Sequence, residues 1–226
     1  MAIYHLRFGL VQHAKGQSAL AVAADRAGVR LHDRRLDRMQ APLPAKHGTM
    51  PILSKVLLPD GAPDRWHSRE VLWNEVEACG RQRNACLARE VEFALPAELL
   101  PYQAAALARD YVQVAFVAEG MAADLNVHWA LRPDGQPKPY AQVLLTMRRI
   151  GAEGFGLKEP AWSDRANALR WRQLWTLMAN ICLAARAMQR GSTTVPMPSA
   201  ASRWSRRTRS APTPPAGLPA ASRPSG

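Results

Sequence analysis

The sequence has few cysteines, few acidic residues and no long apolar run. Its three cysteines, Cys79, Cys86 and Cys182, show no C-x-x-C spacing and leave an odd thiol in any disulfide scheme, so we expect a reduced, cytoplasmic chain without a disulfide framework. No run of eighteen apolar residues occurs, and the N-terminus lacks a charged segment followed by an apolar one. We therefore expect neither membrane insertion nor secretion.

The shortage of acid leaves a formal net charge of +12 and a sequence pI of about 10.6. Clustered lysine and arginine gain affinity for nucleic acids by displacing counterions from phosphates. The charge therefore predicts a polyanionic partner, with an anionic membrane surface as the rival.

The last 36 residues differ from the rest of the chain. From Gly191 onward there are seven prolines, five arginines, no acidic residue and no apolar period, a composition typical of disorder. Residues 1–190 retain 25 basic and 18 acidic residues, a net charge of +7. We predict one basic folded domain over 1–190 and a disordered tail over 191–226.

Hydrophobic periodicity within 1–190 predicts alternating strands and helices. A serine precedes each of the first two predicted helices, as expected for an N-cap. The predicted strands cover 1–11, 51–59 and 89–96, the helices cover 16–31, 68–88, 96–120 and 164–188, and a hairpin lies within 126–149. This order predicts an α+β fold with a largely antiparallel sheet flanked by helices.

The hairpin carries the first candidate site. Tyr140 and Gln142 lie two residues apart, so their side chains share one face of a strand, and His128 on the neighbouring strand can share that face. Three ligands arranged in this way can hold a divalent cation that polarises a phosphate. Only His128 is a good ligand, so one satisfied histidine on an ordinary hairpin is the alternative.

Seven segments in order resemble blocks of the MobA/MobL plasmid-mobilisation relaxases. The resemblance runs from Met1 to about Arg190, and seven ordered blocks are far more specific than one short motif. The segments are MAIYH, GQSALAVAADRAG, LLPDGAP, LAREVEFALP, EGMAADLNVHW, KPYAQVLLTMR and GAEGFGLK.

The resemblance implies an HUH-type relaxase domain that nicks one DNA strand at a plasmid transfer origin. A tyrosine hydroxyl on a helix attacks the phosphodiester, leaving a 5′-phosphotyrosine link and a free 3′-OH. A divalent metal, Mg or Mn, held by three histidines neutralises charge on the scissile phosphate. The implied partners are single-stranded or origin DNA and accessory proteins of the relaxosome.

The residues at the chemically demanding positions depart from the family. The first family histidine matches His128, but the other two fall at Tyr140 and Gln142, and the nucleophile falls at Asp25. A family segment "HSE" falls on residues 53–55, Leu-Ser-Lys. Since loss of even one supporting partner can cost 10–100-fold in metal affinity, we expect metal binding to be weak or absent. Asp25 could attack a phosphate in principle, but an unaided carboxylate repels anionic DNA.

Several other residues are candidates for a role in the site, and each also has an ordinary structural explanation. Glu90 and Glu92 face away from the apolar side of their strand. The resemblance implies that a carboxylate near this block assists the site. Alternatively, both are ordinary solvated glutamates of a strand. Tyr140 and Tyr4 are possible replacement nucleophiles, and Tyr4 otherwise packs on the first strand. Arginines 26, 30, 34, 35 and 38 follow Asp25 and form either a groove that tracks single-stranded DNA or a solvated helix face.

Tryptophans could stack bases in such a groove. Trp129 follows His128 on its strand, whereas Trp171 and Trp175 stand four residues apart on a predicted helix. That spacing is more typical of core packing.

Three functions follow from these observations. The first is a plasmid-mobilisation relaxase whose nicking is impaired; the second is a non-catalytic module that binds single-stranded DNA or an origin hairpin; the third is a decayed reading frame.

Codons can be chosen for residues 192–206 that, read one base earlier, spell a segment resembling the next family block. We hypothesise that the native frame is lost near Gly191, and the nucleotide sequence tests this.

Overall fold

The computed structural model describes residues 5–43, 50–80 and 82–192. The expectations for Tyr4, for most of the tail and for its reading frame fall outside these residues. Along the described chain the strands are β1 (Leu6–Gln12), β2 (Leu31–Asp33), β3 (Arg38–Gln40), β4 (Leu53–Leu57), β5 (Cys86–Ala94), β6 (Ala123–Leu131), β7 (Pro137–Thr146), β8 (Arg148–Gly151) and β9 (Gly154–Lys158). The α-helices are α1 (Ala19–Ala27), α2 (Arg69–Cys79), α3 (Pro101–Ala115) and α4 (Arg165–Ser192).

A five-stranded sheet with strand order β1-β5-β7-β6-β4 forms the centre of the fold. All four strand pairs are antiparallel. Two small hairpins, β2–β3 and β8–β9, lie outside this sheet. The predicted α+β class with an antiparallel sheet is confirmed.

One face of the sheet is apolar and packs against α3 and α4. Val91, Phe93 and Val143 point to this side and join a cluster that contains Trp171 and Trp175. Both tryptophans are fully buried, so the core-packing interpretation of their spacing is confirmed. Burial of large aromatic side chains supplies much of the apolar area that stabilises this layer.

The opposite face is half apolar and half polar. Where α2 covers it, Leu144, Val56 and Trp73 form a second cluster with the alanine-rich face of α1. Beyond this cluster the same face carries polar side chains. We call this polar half the polar face; its residues are Arg7, Glu90, Glu92, Ser54, Asn126, His128, Tyr140 and Gln142.

The first two helices begin at the predicted caps but end earlier than predicted. The hydroxyl oxygen of Ser18 accepts a hydrogen bond from Ala21 N at 3.3 Å, and that of Ser68 accepts one from Val71 N at 3.5 Å. Helix α1 ends before Gly28, whose φ of 67° is left-handed and favours glycine, and Leu31 belongs to β2. Helix α2 ends before Gly80, so the prediction of a helix to residue 88 is wrong.

Helix α4 confirms the predicted final helix and extends to Ser192. None of the helices in the described ranges is both long enough and apolar enough to cross a membrane.

Candidate functional site on the polar face

A row of polar side chains crosses all five strands. Successive cross-strand partners place Arg7 beside Glu92, Glu92 beside Gln142, Gln142 beside Asn126, and Asn126 beside Ser54. Because directly paired residues project to the same side of a sheet, the five side chains share the polar face. Register alone therefore gathers residues from five distant segments.

Direct hydrogen bonds connect most of this row. Arg7 Nη2 donates to Glu92 Oε1 at 3.1 Å, and Gln142 Nε2 donates to Glu92 Oε2 at 3.1 Å. Ser54 Oγ donates to Asn126 Oδ1 at 2.6 Å. Glu92 thus accepts from both neighbours, which fixes the orientation of the Gln142 amide because a carboxylate only accepts.

The next row carries the histidine and the tyrosine of the predicted site. His128 pairs with Tyr140 across β6 and β7. Their rings stack with centroids 4.9 Å apart and planes 12° apart. His128 is 1% exposed, whereas Tyr140 is half-buried and lines a cavity of about 780 Å³. The sequence prediction that His128, Tyr140 and Gln142 share one face is confirmed.

Helix α1 carries Asp25 and Arg26 to the same place. Arg26 Nη2 donates to Glu90 Oε1 at 2.9 Å, and its Nη1 lies 3.9 Å from Asp25 Oδ2. Asp25 Oδ1 also accepts a hydrogen bond from Leu43 N at 2.9 Å. Arg26 lines both the cavity beside Tyr140 and an adjoining cavity of about 280 Å³ beside Glu90.

Burial and nearby charged groups act on the Tyr140 phenol. Burial raises the pKa of the Tyr140 phenol above its ordinary value, and the carboxylates of Glu92 and Asp25 raise it further, while Arg26 opposes them. Both carboxylates disfavour the phenolate by like-charge repulsion. The phenol is therefore a poorer nucleophile near neutral pH than an unperturbed tyrosine.

A buried ion pair connects α2 to the edge of the polar face. Arg69 donates to both oxygens of Asp124, at 2.7 and 2.8 Å, and to Ser54 Oγ at 2.8 Å. Trp73 Nε1 donates to Asp124 Oδ2 at 2.9 Å. Asp124 is fully buried, so these partners are needed to keep its charge inside the protein. The network joins α2 to the Ser54–Asn126 end of the row.

The residues present do not fit the divalent metal that the family resemblance implies. Of the three matching positions, only His128 carries an imidazole; a neutral phenol and an amide are poor ligands beside it. In the described parts of the chain, no three histidine, cysteine, aspartate or glutamate side chains are grouped so that they could hold a metal ion.

The arginines of the predicted DNA-tracking groove lie in two separate places. Only Arg26 lies at the polar face; Arg34, Arg35 and Arg38 border a different cavity. These three belong to the β2–β3 hairpin or its turn, so the alternative of a helix face is wrong for them. The chain leaves α1 at Gly28 and turns away before they occur. Arg30 is exposed in the connection between α1 and β2.

Trp129 does not stack in the site. It packs against the apolar cluster on the other side of the sheet, because neighbouring residues of a strand point to opposite faces and His128 occupies the polar face.

Arg7, Asp124 and Asn126 lie in the site but are not among the residues predicted from the sequence. A signal for two of them was present, since Asp124, Asn126 and His128 alternate along one strand and must share a face. Asp124 and Asn126 could have been found in this way. Arg7 could not, because its place beside Glu92 depends on pairing between segments 85 residues apart.

The fold and the site define a class of protein: an α+β domain whose antiparallel sheet is packed on one face by two helices and presents a helix-flanked polar site on the other. The profile of the MobA/MobL family matches residues 17–192. The chain belongs to the MobA/MobL family.

Relatives in several bacteria support this assignment. The chain is 31% identical over 171 residues to a probable conjugal transfer protein TraA of Sinorhizobium fredii, covering 71% of this chain and 15% of that protein. It is 38% identical over 128 residues to the mobilization protein MobL of Acidithiobacillus ferridurans, covering 57% and 32% respectively. It is 34% identical over 153 residues to a probable mobilization protein MobA of Bifidobacterium longum, covering 66% and 26%. The chain thus spans less than a third of the length of each of these relatives.

A solved structure has the same fold. It is described as "Molecular Basis of Vancomycin Resistance Transfer in Staphylococcus aureus" and superposes with a TM-score of 0.73 at 29% identity. The match covers 82% of this chain and 94% of the other.

Proposed function

We propose that this chain acts on single-stranded or origin DNA in plasmid mobilisation, as a relaxase-family domain whose strand-nicking chemistry is impaired. Family membership and the relatives named for conjugal transfer and mobilisation support the biological process. The basic charge of the chain supports a nucleic-acid partner. Relaxosome accessory proteins are expected partners on the same grounds.

The observation that carries the impairment is the composition of the polar face. Asp25, Tyr140 and Gln142 lie together where the resemblance implies a tyrosine and two histidines. Transesterification at a phosphodiester needs a nucleophile and positive charge to offset the phosphate. Here the nucleophile position carries a carboxylate that repels the phosphate.

Lys138 lines the cavity beside Tyr140, and two arginines, Arg7 and Arg26, bring further positive charge to this face. Each is paired with a glutamate, Arg7 with Glu92 and Arg26 with Glu90. A bound phosphate would therefore compete with these carboxylates for the guanidinium groups. Because both guanidinium groups already have counter-charges, they offset little of the charge on a scissile phosphate.

A nicking assay tests the proposal. Wild-type protein is incubated with a supercoiled plasmid that carries a transfer origin, with Mg²⁺ or Mn²⁺, and open circles and covalent protein–DNA adducts are scored. We expect neither product, while a labelled single-stranded origin fragment is bound with an affinity that falls as salt rises. The matched variant D25Y/Y140H/Q142H restores the implied residues, and we expect it to nick.

Two results would contradict the proposal. A covalent adduct formed by the wild type would show intact chemistry, with Tyr140 or Asp25 as the nucleophile. Absence of salt-dependent DNA binding by folded protein would favour the decayed reading frame.

A further inference from the structure

Helix α4 exposes large apolar side chains on the side turned away from the core. Leu177 is 57% exposed, Ile181 59% and Met188 75%, and Ala184 between them is also exposed. Their successive spacings of four, three and four residues follow the heptad period of helices that pack against other helices. We call these four residues, Leu177, Ile181, Ala184 and Met188, the α4 stripe.

The α4 stripe is not what holds α4 on the domain. Trp171, Trp175 and Ala179 are buried on another side of the helix, where they join the apolar core. The helix therefore packs against the domain with one side and leaves a second apolar side in water. Contiguous exposed apolar surface of this kind marks an interaction site.

The first three residues of the stripe lie in a stretch without charge. Residues 173–185 contain no acidic or basic side chain, although the chain has a net charge of +12. The arginines at the two ends of this stretch turn toward the domain: Arg172 Nε donates to the carbonyl oxygen of Leu6 at 3.5 Å, and Arg186 donates to Gln103 on α3. Depletion of charged residues is typical of the centre of a protein–protein interface.

The same lack of charge indicates which partner fits. A nucleic acid is bound through cations, which this stretch does not carry. Two copies of a chain with a net charge of +12 repel each other, so they meet at least cost through an uncharged face. The heptad spacing of the stripe indicates that the partner surface is itself a helix.

We infer that the α4 stripe is a dimerisation surface, which binds the same stripe of a second copy of this chain with the two helices antiparallel. With the two-fold axis beside Ile181, Leu177 of each copy faces the exposed, small side chain of Ala185 of the other. A large side chain opposite a small one lets the helices approach closely, and a two-fold contact uses the same stripe on both copies.

The position and size of the stripe define the kind of dimer. Helix α4 packs on the apolar face of the sheet, so a second copy bound to its outer side leaves both polar faces accessible. The stripe spans about 17 Å of a helix about 10 Å wide. This area is well below the roughly 800 Å² per partner of a standard interface, so we expect a weak and reversible dimer.

Sedimentation velocity of the full chain, freed of nucleic acid, tests the inference at protein concentrations from about 5 to about 500 μM. I181D places a charge beside the two-fold axis, and I181L keeps an apolar side chain there. L157D introduces the same charge at an exposed leucine of β9, outside the stripe. Since Ile181 and Leu157 are both exposed, we expect circular dichroism to show wild-type folding in each variant.

We expect the wild type, I181L and L157D to shift from monomer to dimer as the concentration rises. I181D should dimerise at least roughly tenfold more weakly, because each copy would bury an unpaired carboxylate. Added salt should strengthen the dimer, since it screens the repulsion between two basic chains. Association that weakens with salt would indicate bridging by residual nucleic acid and would overturn the inference.

Three further outcomes would also overturn it. A wild type that stays monomeric over the whole range shows that no second copy binds the stripe. Equal dimerisation of I181D and L157D places the contact elsewhere on the molecule. Flotation of a monomer with neutral phosphatidylcholine vesicles, abolished by I181D, assigns the stripe to a lipid surface. None of these results bears on the proposed function, which concerns the polar face.

Discussion

Single residues decide whether the polar face can hold a cation. The backbone places His128, Tyr140 and Gln142 on one side of two paired strands, which is a geometry that three metal ligands could share. The side chains at two of these positions are poor ligands. The scaffold and the chemistry of the site are therefore separable, and substitutions can test them separately.

The variant Y140H/Q142H should gain metal binding. It places three imidazoles on adjacent strands, and we expect it to bind Mn²⁺ at least roughly 100-fold more tightly than the wild type, given the cost of losing ligand support. Isothermal titration calorimetry with MnCl₂ measures this without DNA. Adding H128A to the double variant should remove the gain. Equal affinities of the wild type and the double variant would show that the backbone does not bring the three positions together.

At the scale of elements, α2 is attached to the sheet by charge as well as by apolar packing. Arg69 near its N-terminus reaches Asp124 on β6, and Trp73 donates to the same carboxylate. A buried pair of this kind specifies how a helix sits on a sheet, because removing one partner leaves a charge without compensation. Helix α1 is attached similarly, since Glu77 of α2 accepts the N–H of Ala19.

Replacing Asp124 with asparagine should destabilise the protein strongly. The change keeps the shape but leaves Arg69, whose side chain is only 14% exposed, without its counter-charge. We expect a loss of about 3 kcal/mol in the free energy of unfolding, measured by urea denaturation. R65Q, which breaks the more exposed pair with Glu75, should cost less than about 1 kcal/mol. Similar losses in the two variants would mean that the Asp124 pair has no special role.

At the scale of the whole molecule, the two faces of the sheet serve different purposes. The apolar face holds α3 and α4 in a core built around Tyr111, Trp171 and Trp175. Tyr111 also donates its hydroxyl to the carbonyl oxygen of Trp171 at 3.0 Å, which links the two helices. The other face carries the candidate site.

The Tyr111 link predicts a loss of stability at alkaline pH. Burial raises the pKa of the Tyr111 phenol well above its ordinary value, so above about pH 10 the unfolded chain ionises this group while the folded chain keeps it protonated. The stabilisation is fully present below that pH and decreases as the pH rises through it. Urea denaturation between about pH 8 and about pH 11 measures the effect.

The variant Y111F provides the control for this prediction. It should lose about 1 kcal/mol at neutral pH, because the hydrogen bond to Trp171 disappears, but it should lose less further stability in alkali than the wild type. A parallel decline of the two proteins would show that Tyr111 does not cause the alkaline loss. Tyr140, whose pKa is also raised, contributes in the same direction and is present in both proteins.

Local sequence patterns predicted much of the fold. Alternation located β5, β6 and β7, although β5 begins at Cys86 and not at residue 89 as predicted. It also placed His128 and Gln142 on one face, because a strand's side chains alternate whatever the strand pairs with. The serine caps marked where α1 and α2 begin. The short strands β2, β3, β8 and β9 were not predicted, since strands of three to five residues leave too little periodicity to detect.

The sequence by itself determined the alternating pattern of the sheet, the starts of α1 and α2 and the residue types at the site, since these depend on local backbone geometry and on side-chain chemistry. Only the tertiary structure decided the strand order, the partners of Arg7 and Asp124, and the separation of Arg26 from Arg34, Arg35 and Arg38. Those features join segments far apart in the chain. Their geometry is fixed by register across the whole sheet and by burial against its helices, and neither can be read from a local stretch of residues.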